Sequence, residues 1–177
     1  QAIGHAINGR AVPGHSGREQ DVFNPATGAV TGRVALANAT EVDAAVSAAQ
    51  AAFPAWADTP PIRRARVMFK FKELVEARMD ELARVLSSEH GKVLADSRGD
   101  IQRGLEVIEF CCGIPHVLKG EFTHGAGPGI DIWAFRQPIG IGAGITPFNF
   151  PAMIPMWMAG VAIATGNAFM VDGGMTI

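Results

Sequence analysis

The sequence predicts an α/β fold, and three observations predict it. The first forty residues are short apolar runs broken by turn dipeptides. The next eighty carry apolar residues at three- and four-residue steps, the period of amphipathic helices. From Gln137 to Val171, 35 residues then pass without an Asp, Glu, Lys, Arg or His, with Gly144-Ile-Thr-Pro-Phe-Asn-Phe-Pro151 inside them. Such a window must be buried in protein or in a membrane. It is long enough to span a bilayer, but Pro147, Pro151 and Pro155 each remove a backbone donor and Asn149 is costly in lipid. A buried strand, a loop and a buried helix are expected instead.

Residues 1–40 read as a peripheral strand meander. Asn8-Gly9, between Ala6-Ile7 and Arg10-Ala11-Val12, is a two-residue hairpin signal. Val22-Phe23 leads into the turn cluster Asn24-Pro25-Ala26-Thr27-Gly28, and Val30 to Leu36 follows as a strand. Residues 41–119 are helical. Thr40 opens the first helix, Thr40 and Asp43 having capping-box spacing with Asp in place of Glu. Its apolar face, Val42, Ala45, Val46, Ala49 and Phe53, ends before Pro54.

The spacing predicts a second helix from Pro60-Pro61 to about His90, with Val67, Phe71, Leu74, Val75, Leu82 and Leu86 inward and Gly91 as its stop. Arg63, Arg64 and Arg66 fall on its solvated face. A third helix covers roughly Ala95 to His116, with Ile101, Leu105, Ile108 and Cys112 on one stripe. Residues 120–138 turn to glycine and extended segments, with a loop at Gly125–Gly129 and a strand over Ile130 to Phe135. The strand Pro138 to Ile145, expected to become fully buried, leads into residues 139–169, which hold the rest of it, the Asn149 loop, and an all-apolar helix from Ala152 to Ala164.

Composition excludes several functions. The net charge is −2 with no extended basic block, which argues against nucleic acid. No His-x-x-x-His or Cys-x-x-Cys spacing occurs, so no metal is expected. Cys111 and Cys112 are adjacent in a helical pattern; a core role outweighs a nucleophilic one because no base is positioned nearby, and two thiols fit a reducing compartment, the cytoplasm. The N-terminus shows no charged segment followed by an apolar run, so no signal peptide is expected, and its lack of an initiator Met points to trimming.

Two segments have chemical potential. Gly140-Ile-Gly-Ala-Gly144 superficially suggests a phosphate loop, but its spacing is Gly-x-Gly-x-Gly and no helix follows; glycines that let a strand pack closely are the plainer account. In Thr146-Pro-Phe-Asn-Phe-Pro151, prolines fix the loop after a strand and an amide lies between two aromatic residues. Held rigid and dry, Asn149 can donate to an oxyanion; on the residues alone, an Asn bonding its own loop is at least as good a reading.

From about Ile7 to Asn167 the chain resembles the N-terminal third of the aldehyde dehydrogenase superfamily, within it the CoA-acylating methylmalonate-semialdehyde dehydrogenases. The match lies in Asp21-Val-Phe-Asn-Pro-Ala-Thr-Gly28, Glu89-His-Gly-Lys92, Gly99-Asp-Ile-Gln-Arg-Gly-Leu-Glu-Val107, Gly113-Ile-Pro-His116 and Gly144 to Pro151. Phe148 before the Asn and the Gly-Ile-Pro-His segment favour the semialdehyde branch. The resemblance implies the N-terminal part of that fold, opening a Rossmann-like NAD-binding domain whose sheet is incomplete here. It implies NAD-dependent oxidation of a malonate-type semialdehyde and transfer of the acyl group to CoA with loss of CO2, through a cysteine that attacks the aldehyde. Asn149 would donate its amide to the oxyanion, Thr146 and Phe148 would border NAD, and Ile130 to Gln137 would belong to an extended arm of homo-oligomer assembly.

The match then breaks. Where the family continues from Gly-Asn-x-Phe into Lys-Pro-Ser-Glu, Gly166-Asn-Ala-Phe169 runs into Met170-Val-Asp-Gly-Gly-Met-Thr-Ile177, with Asp172 in place of a Lys that binds the adenosine ribose. Residues 170–177 are thus an atypical tail. Thr165 to Thr176 resembles the end of short-chain dehydrogenases, although their Tyr-x-x-x-Lys is missing and the sequence has no Tyr. The expectation is a chimera or a fragmentary gene product, with a frameshift or assembly error as the other source of such a junction. The family's nucleophilic cysteine is absent, so the chain alone is expected to be inactive. The alternative function is a non-catalytic fragment that binds nucleotide weakly or pairs with full-length subunits. The unpartnered apolar helix should leave an apolar surface that drives self-association.

Overall fold

The computed structural model describes residues 1–175, which form nine strands and six helices. The end of the atypical tail, Thr176 and Ile177, lies outside the described residues. β1 (Ala2–Ile3) runs parallel to β5 (Val30–Ala35), whose other neighbour is the antiparallel β4 (Glu19–Phe23). β2 (His5–Ile7) and β3 (Arg10–Val12) form the expected hairpin, with Asn8 at φ 52° and Gly9 at φ 70°, the left-handed pair that a primed turn requires. Between β4 and β5 the Asn24 carboxamide oxygen accepts from Ala26 N (2.9 Å) and Thr27 N (3.3 Å), closing the turn.

Helix α1 (Ala39–Ala57) starts from a different cap than the spacing suggested. Asn38 is the N-cap: its Oδ1 accepts from Glu41 N (3.0 Å) and Glu41 Oε2 accepts from Asn38 N (2.9 Å). Thr40 and Asp43 lie too late in the helix to serve. Pro54 does not end α1 either; it sits in the last turn, whose carbonyls still find donors, Asp58 N donating to Pro54 O.

The predicted second helix is two, α2 (Pro61–Ala77) and α3 (Met79–His90), separated by Arg78 at φ −113°, ψ 17°. Within α2 the buried face also differs from the predicted one. Ala65, Met68, Val75, Ala83 and Leu86 are buried, whereas Val67, Phe71, Leu74 and Leu82 are exposed; small residues let α2 and α3 approach α4 (Leu94–Cys112), and the larger ones are left on the flank. Gly91 ends α3 as expected, at φ 86°.

The third helix also divides. The stripe of Ile101, Leu105, Ile108 and Cys112 is buried as predicted. At Gly113 the chain stops and restarts as α5 (Ile114–Val117), because Pro115 cannot donate into α4's last turn. The Gly125–Gly129 segment is only partly loop. β6 (Phe122–Gly127) pairs with β7 (Ile130–Trp133), with a register shift between Thr123 and Gly127 that Gly125 accommodates at φ 65°.

β8 (Ile141–Pro147), α6 (Met153–Ala164) and β9 (Ala168–Met175) make a β-α-β unit with β8 and β9 parallel, Ile141 opposite Ala168. β8 is not fully buried. Among the described residues it has one strand neighbour, and Ile145 is 76% exposed. The core has two clusters: Met68, Cys111, Cys112, Ile114 and Ala164 at one end, and Val75, Ala83, Leu86, Ile101 and Leu105 at the other, where Ala152 and Met156 pack against them. Helix α6 is not unpartnered as the sequence suggests: Met153, Gly160 and Ala164 are buried, and only Trp157, Met158 and Val161 leave apolar surface on it, while Phe122, Ile132, Trp133 and Phe135 are exposed outside it.

Arg64 is the largest departure from the solvated basic face. It is 3% exposed, and its guanidinium reaches three carbonyls at the ends of two helices: Nε donates to Ala164 O (3.0 Å), and Nη1 to Ala57 O (3.3 Å) and Thr59 O. A cation there satisfies orphan carbonyls and sits at the negative end of the helix dipoles. Burial lowers its pKa from the ordinary arginine value. Arg64→Met keeps the stem and strips these bonds, so it should destabilise the chain by about 2 kcal/mol or more. Arg64→Lys should recover little, because an ammonium cannot present the planar fork. Urea unfolding followed by circular dichroism measures both, and a loss below about 0.5 kcal/mol in Arg64→Met would contradict the assignment.

Candidate functional site

The Asn149 loop occupies residues 148–152, between the carboxyl end of β8 and the first turn of α6. In open α/β sheets this is where ligands bind. Residues at neighbouring helix ends fix it, and the Asn24-Pro25 turn packs on one of those ends. Gly91 in its left-handed conformation ends α3, and a Cβ there would approach Pro25 Cγ at 3.0 Å, so the turn packs directly on this corner.

The residues on either side of Gly91 then take one aromatic ring each. The His90 ring packs on Phe148, with centroids 5.4 Å apart and planes tilted by 35°. Lys92 Nζ stands 4.1 Å from the centroid of Phe150. Asn149 lies between the two gripped rings.

Lys92 also pairs with Asp100, Nζ to Oδ2 at 3.0 Å. Asp100 is 1% exposed, and its other oxygen, Oδ1, accepts from Met153 N at 2.8 Å. Ala152, the N-cap of α6, supplies no side-chain cap of its own. A carboxylate from α4 therefore caps α6, where a negative charge suits the helix dipole. Removing one partner of such a buried pair typically costs about 3–5 kcal/mol.

The predicted site residues come together here, with changed surroundings. Asn149 is exposed rather than dry, and among the described residues no hydrogen bond ties its amide to the loop. Phe148 is half-buried under His90. Thr146 is 2% exposed and its Oγ1 donates to Asp172 O (3.1 Å) across to β9, so it offers a ligand the strand end rather than a free hydroxyl.

The phosphate-loop reading of Gly140–Gly144 is not supported by this geometry. Gly142 and Gly144 lie within β8, and a Cβ on Gly144 would sit 2.8 Å from Met158 Sδ and 2.9 Å from Phe169 Cζ. The first N–H of α6 is already taken by Asp100. A dinucleotide would thus meet the end of β8 and the Phe148 ring, which fits the residues present, without a glycine-rich cradle.

The aldehyde dehydrogenase family profile matches residues 12–173, running past Phe169 into the tail. The chain belongs to the aldehyde dehydrogenase family. It is 50% identical over 167 residues to a malonate-semialdehyde dehydrogenase of Pseudomonas aeruginosa, covering 94% of this chain and 33% of that one. It is 42% identical over 165 residues to the human acylating methylmalonate-semialdehyde/malonate-semialdehyde dehydrogenase, covering 93% and 31%. A crystal structure described as methylmalonate-semialdehyde dehydrogenase from Sinorhizobium meliloti, complexed with NAD, superposes with a TM-score of 0.95 at 61% identity, covering 97% of this chain and 35% of that one. The chain thus spans about a third of the length of these family members.

His90, Lys92 and Asp100 had no role in the sequence reading, although each sits in a segment that carries the resemblance. Asp100 left a signal. It falls on the same helical stripe as Ser97, Ile101, Gly104 and Leu105, all buried or core positions, and an acid on a buried stripe demands a partner.

Neither thiol fits a nucleophile. Burial, and secondarily the neighbouring Cys112, push the Cys111 thiol up to about 11; burial likewise raises Cys112. A raised thiol pKa stabilises the neutral form, so this contribution to stability is complete below pH 9 and erodes as pH climbs toward 11. At pH 8 a thiol-reactive chromophore should label neither cysteine in the folded chain and both in guanidinium. Rapid labelling without denaturant would contradict the buried placement.

Proposed function

We propose that this chain is the part of an NAD-dependent, CoA-acylating aldehyde dehydrogenase that supplies the oxyanion amide, and that its substrate is malonate or methylmalonate semialdehyde. The observation that carries the reading is Asn149: an exposed carboxamide without an internal partner among the described residues, at the carboxyl end of a parallel strand, with both flanking rings held. An unbonded amide on a fixed loop is ready to donate. The similarity to semialdehyde dehydrogenases at 50% and 42% identity supports the substrate class.

In this reading the aldehyde oxygen lies at Asn149 Nδ2. As a thiolate adds to the carbonyl carbon, negative charge gathers on that oxygen and the amide N–H holds it. NAD, bordered by Phe148 and the backbone at Thr146, would accept hydride from the same carbon. The acyl group then passes to the CoA thiol and CO2 leaves, so that one semialdehyde, one NAD and one CoA give acyl-CoA, NADH and CO2. Cys111 and Cys112 do not supply the thiolate, since both are buried in the α4 core. The β6–β7 ribbon, with Ile132 and Trp133 exposed, is the proposed arm of assembly between subunits, and cytoplasm the proposed compartment.

A hybrid in which residues 1–175 replace the matching third of the Pseudomonas aeruginosa relative tests the amide. Asn149→Ala in that hybrid should lower kcat roughly 100- to 1000-fold while leaving KM for the semialdehyde within a few-fold, the loss expected for one oxyanion donor. Stopped-flow NADH absorbance reads it. A kcat unchanged within threefold in Asn149→Ala, with the hybrid itself active, would overturn the reading.

A further inference from the structure

We propose that Lys92 and Asp100 are positioning residues for the Asn149 loop: one ammonium bridges the ring before the loop's final proline to the carboxylate that caps the helix after it. The proposal rests on the reading that Asn149 serves the substrate oxygen, and it deepens that reading by naming what holds the amide in place.

The loop has little of its own to define its shape. Phe148, Asn149 and Phe150 belong to neither β8 nor α6, and among the described residues the loop backbone makes two long bonds to the start of α6, Ile154 N to Phe150 O and Met156 N to Ala152 O, both at 3.3 Å. What fixes it comes from outside. Asp100 is engaged twice, Oδ1 by Met153 N and Oδ2 by Lys92 Nζ, so the start of α6 and the ammonium share one rigid anchor on α4. Lys92 is engaged twice as well, by Asp100 and by the face of Phe150. The chain Phe150–Lys92–Asp100–Met153 therefore closes a ring of contacts around Pro151 and Ala152, with Asn149 immediately outside it. Asp100 is too deeply buried to be present without a counter-ion, and Lys92 is the cation beside it.

A purely structural ion pair and a loop-positioning device differ in where their loss is felt. Replacing both members, Lys92→Met with Asp100→Asn, removes the charges together and leaves no unpaired ion; the carboxamide oxygen introduced by Asp100→Asn can still accept from Met153 N. The core of α4 should survive, and only the cation over Phe150 is lost outright. Lys92→Arg keeps a cation that can stack on the ring and meet the carboxylate.

Nitrogen-15 spectra of the 177-residue chain read this directly. In the double variant the Asn149 side-chain and Phe150 backbone signals should shift or broaden and Met153 N–H should exchange roughly tenfold faster or more, while Ile101, Leu105 and Ile108 keep their protection. Lys92→Arg should restore the loop signals toward those of the unchanged chain. Three outcomes overturn the proposal: Asn149 and Phe150 signals unmoved in the double variant, loss of protection spread evenly through α4, or a loop perturbed as strongly by Lys92→Arg as by the double change. None of these measurements involves turnover, so a failure of the catalytic reading would leave them intact and would be seen separately in the Asn149→Ala hybrid.

Discussion

Helix α6 has no charge of its own, and the rest of the structure is arranged to lend it two. From Gln137 to Val171 the chain carries no ionisable side chain, yet both ends of the helix inside that stretch are met by charges of the favourable sign. Asp100 accepts from its first N–H, and Arg64 donates to its last carbonyl. Each orphaned terminus is satisfied by a buried side chain from another helix. An apolar helix placed between β8 and β9 in sequence can pack into the core only if its polar ends are answered in this way.

The same arrangement explains how a short loop becomes a candidate site. Asp100 brings Lys92 with it, and Lys92 brings the Phe150 ring; His90, on the other side of Gly91, holds Phe148. Three segments, 21–28, 89–92 and 99–107, thus gather at the corner below Asn149. They carry much of the family resemblance, and none of them touches substrate in the proposed chemistry. Their common work is to leave one amide exposed and unbonded on a supported loop.

Much of this was legible in the sequence, and what was hidden has physical reasons. Asn8-Gly9 demands left-handed backbone, so its hairpin could be placed to the residue. The Ile101–Cys112 stripe follows helical period, and the thiol in it lies in the core as that period implies. Boundaries failed where local signals competed. Two capping boxes were available within a few residues and Asn38 with Glu41 won; Pro54 was tolerated in a last turn; the single residue Arg78 broke one predicted helix into two. Arg64 and Asp100 were hidden for a deeper reason. The ends of α6 that they answer lie 100 and 53 residues away, and no periodicity reports a helix end that needs a charge.

Amide hydrogen exchange along α6 reports whether the two borrowed charges hold the helix. If borrowed charges at both ends tie this helix into the fold, amides from Met156 to Ala164 should exchange only with global unfolding, at the same free energy as Ile101, Leu105 and Ile108 of α4. An α6 whose amides exchange at a markedly lower free energy, while α4 remains protected, would show that the helix opens independently and that Arg64 and Asp100 do not hold it.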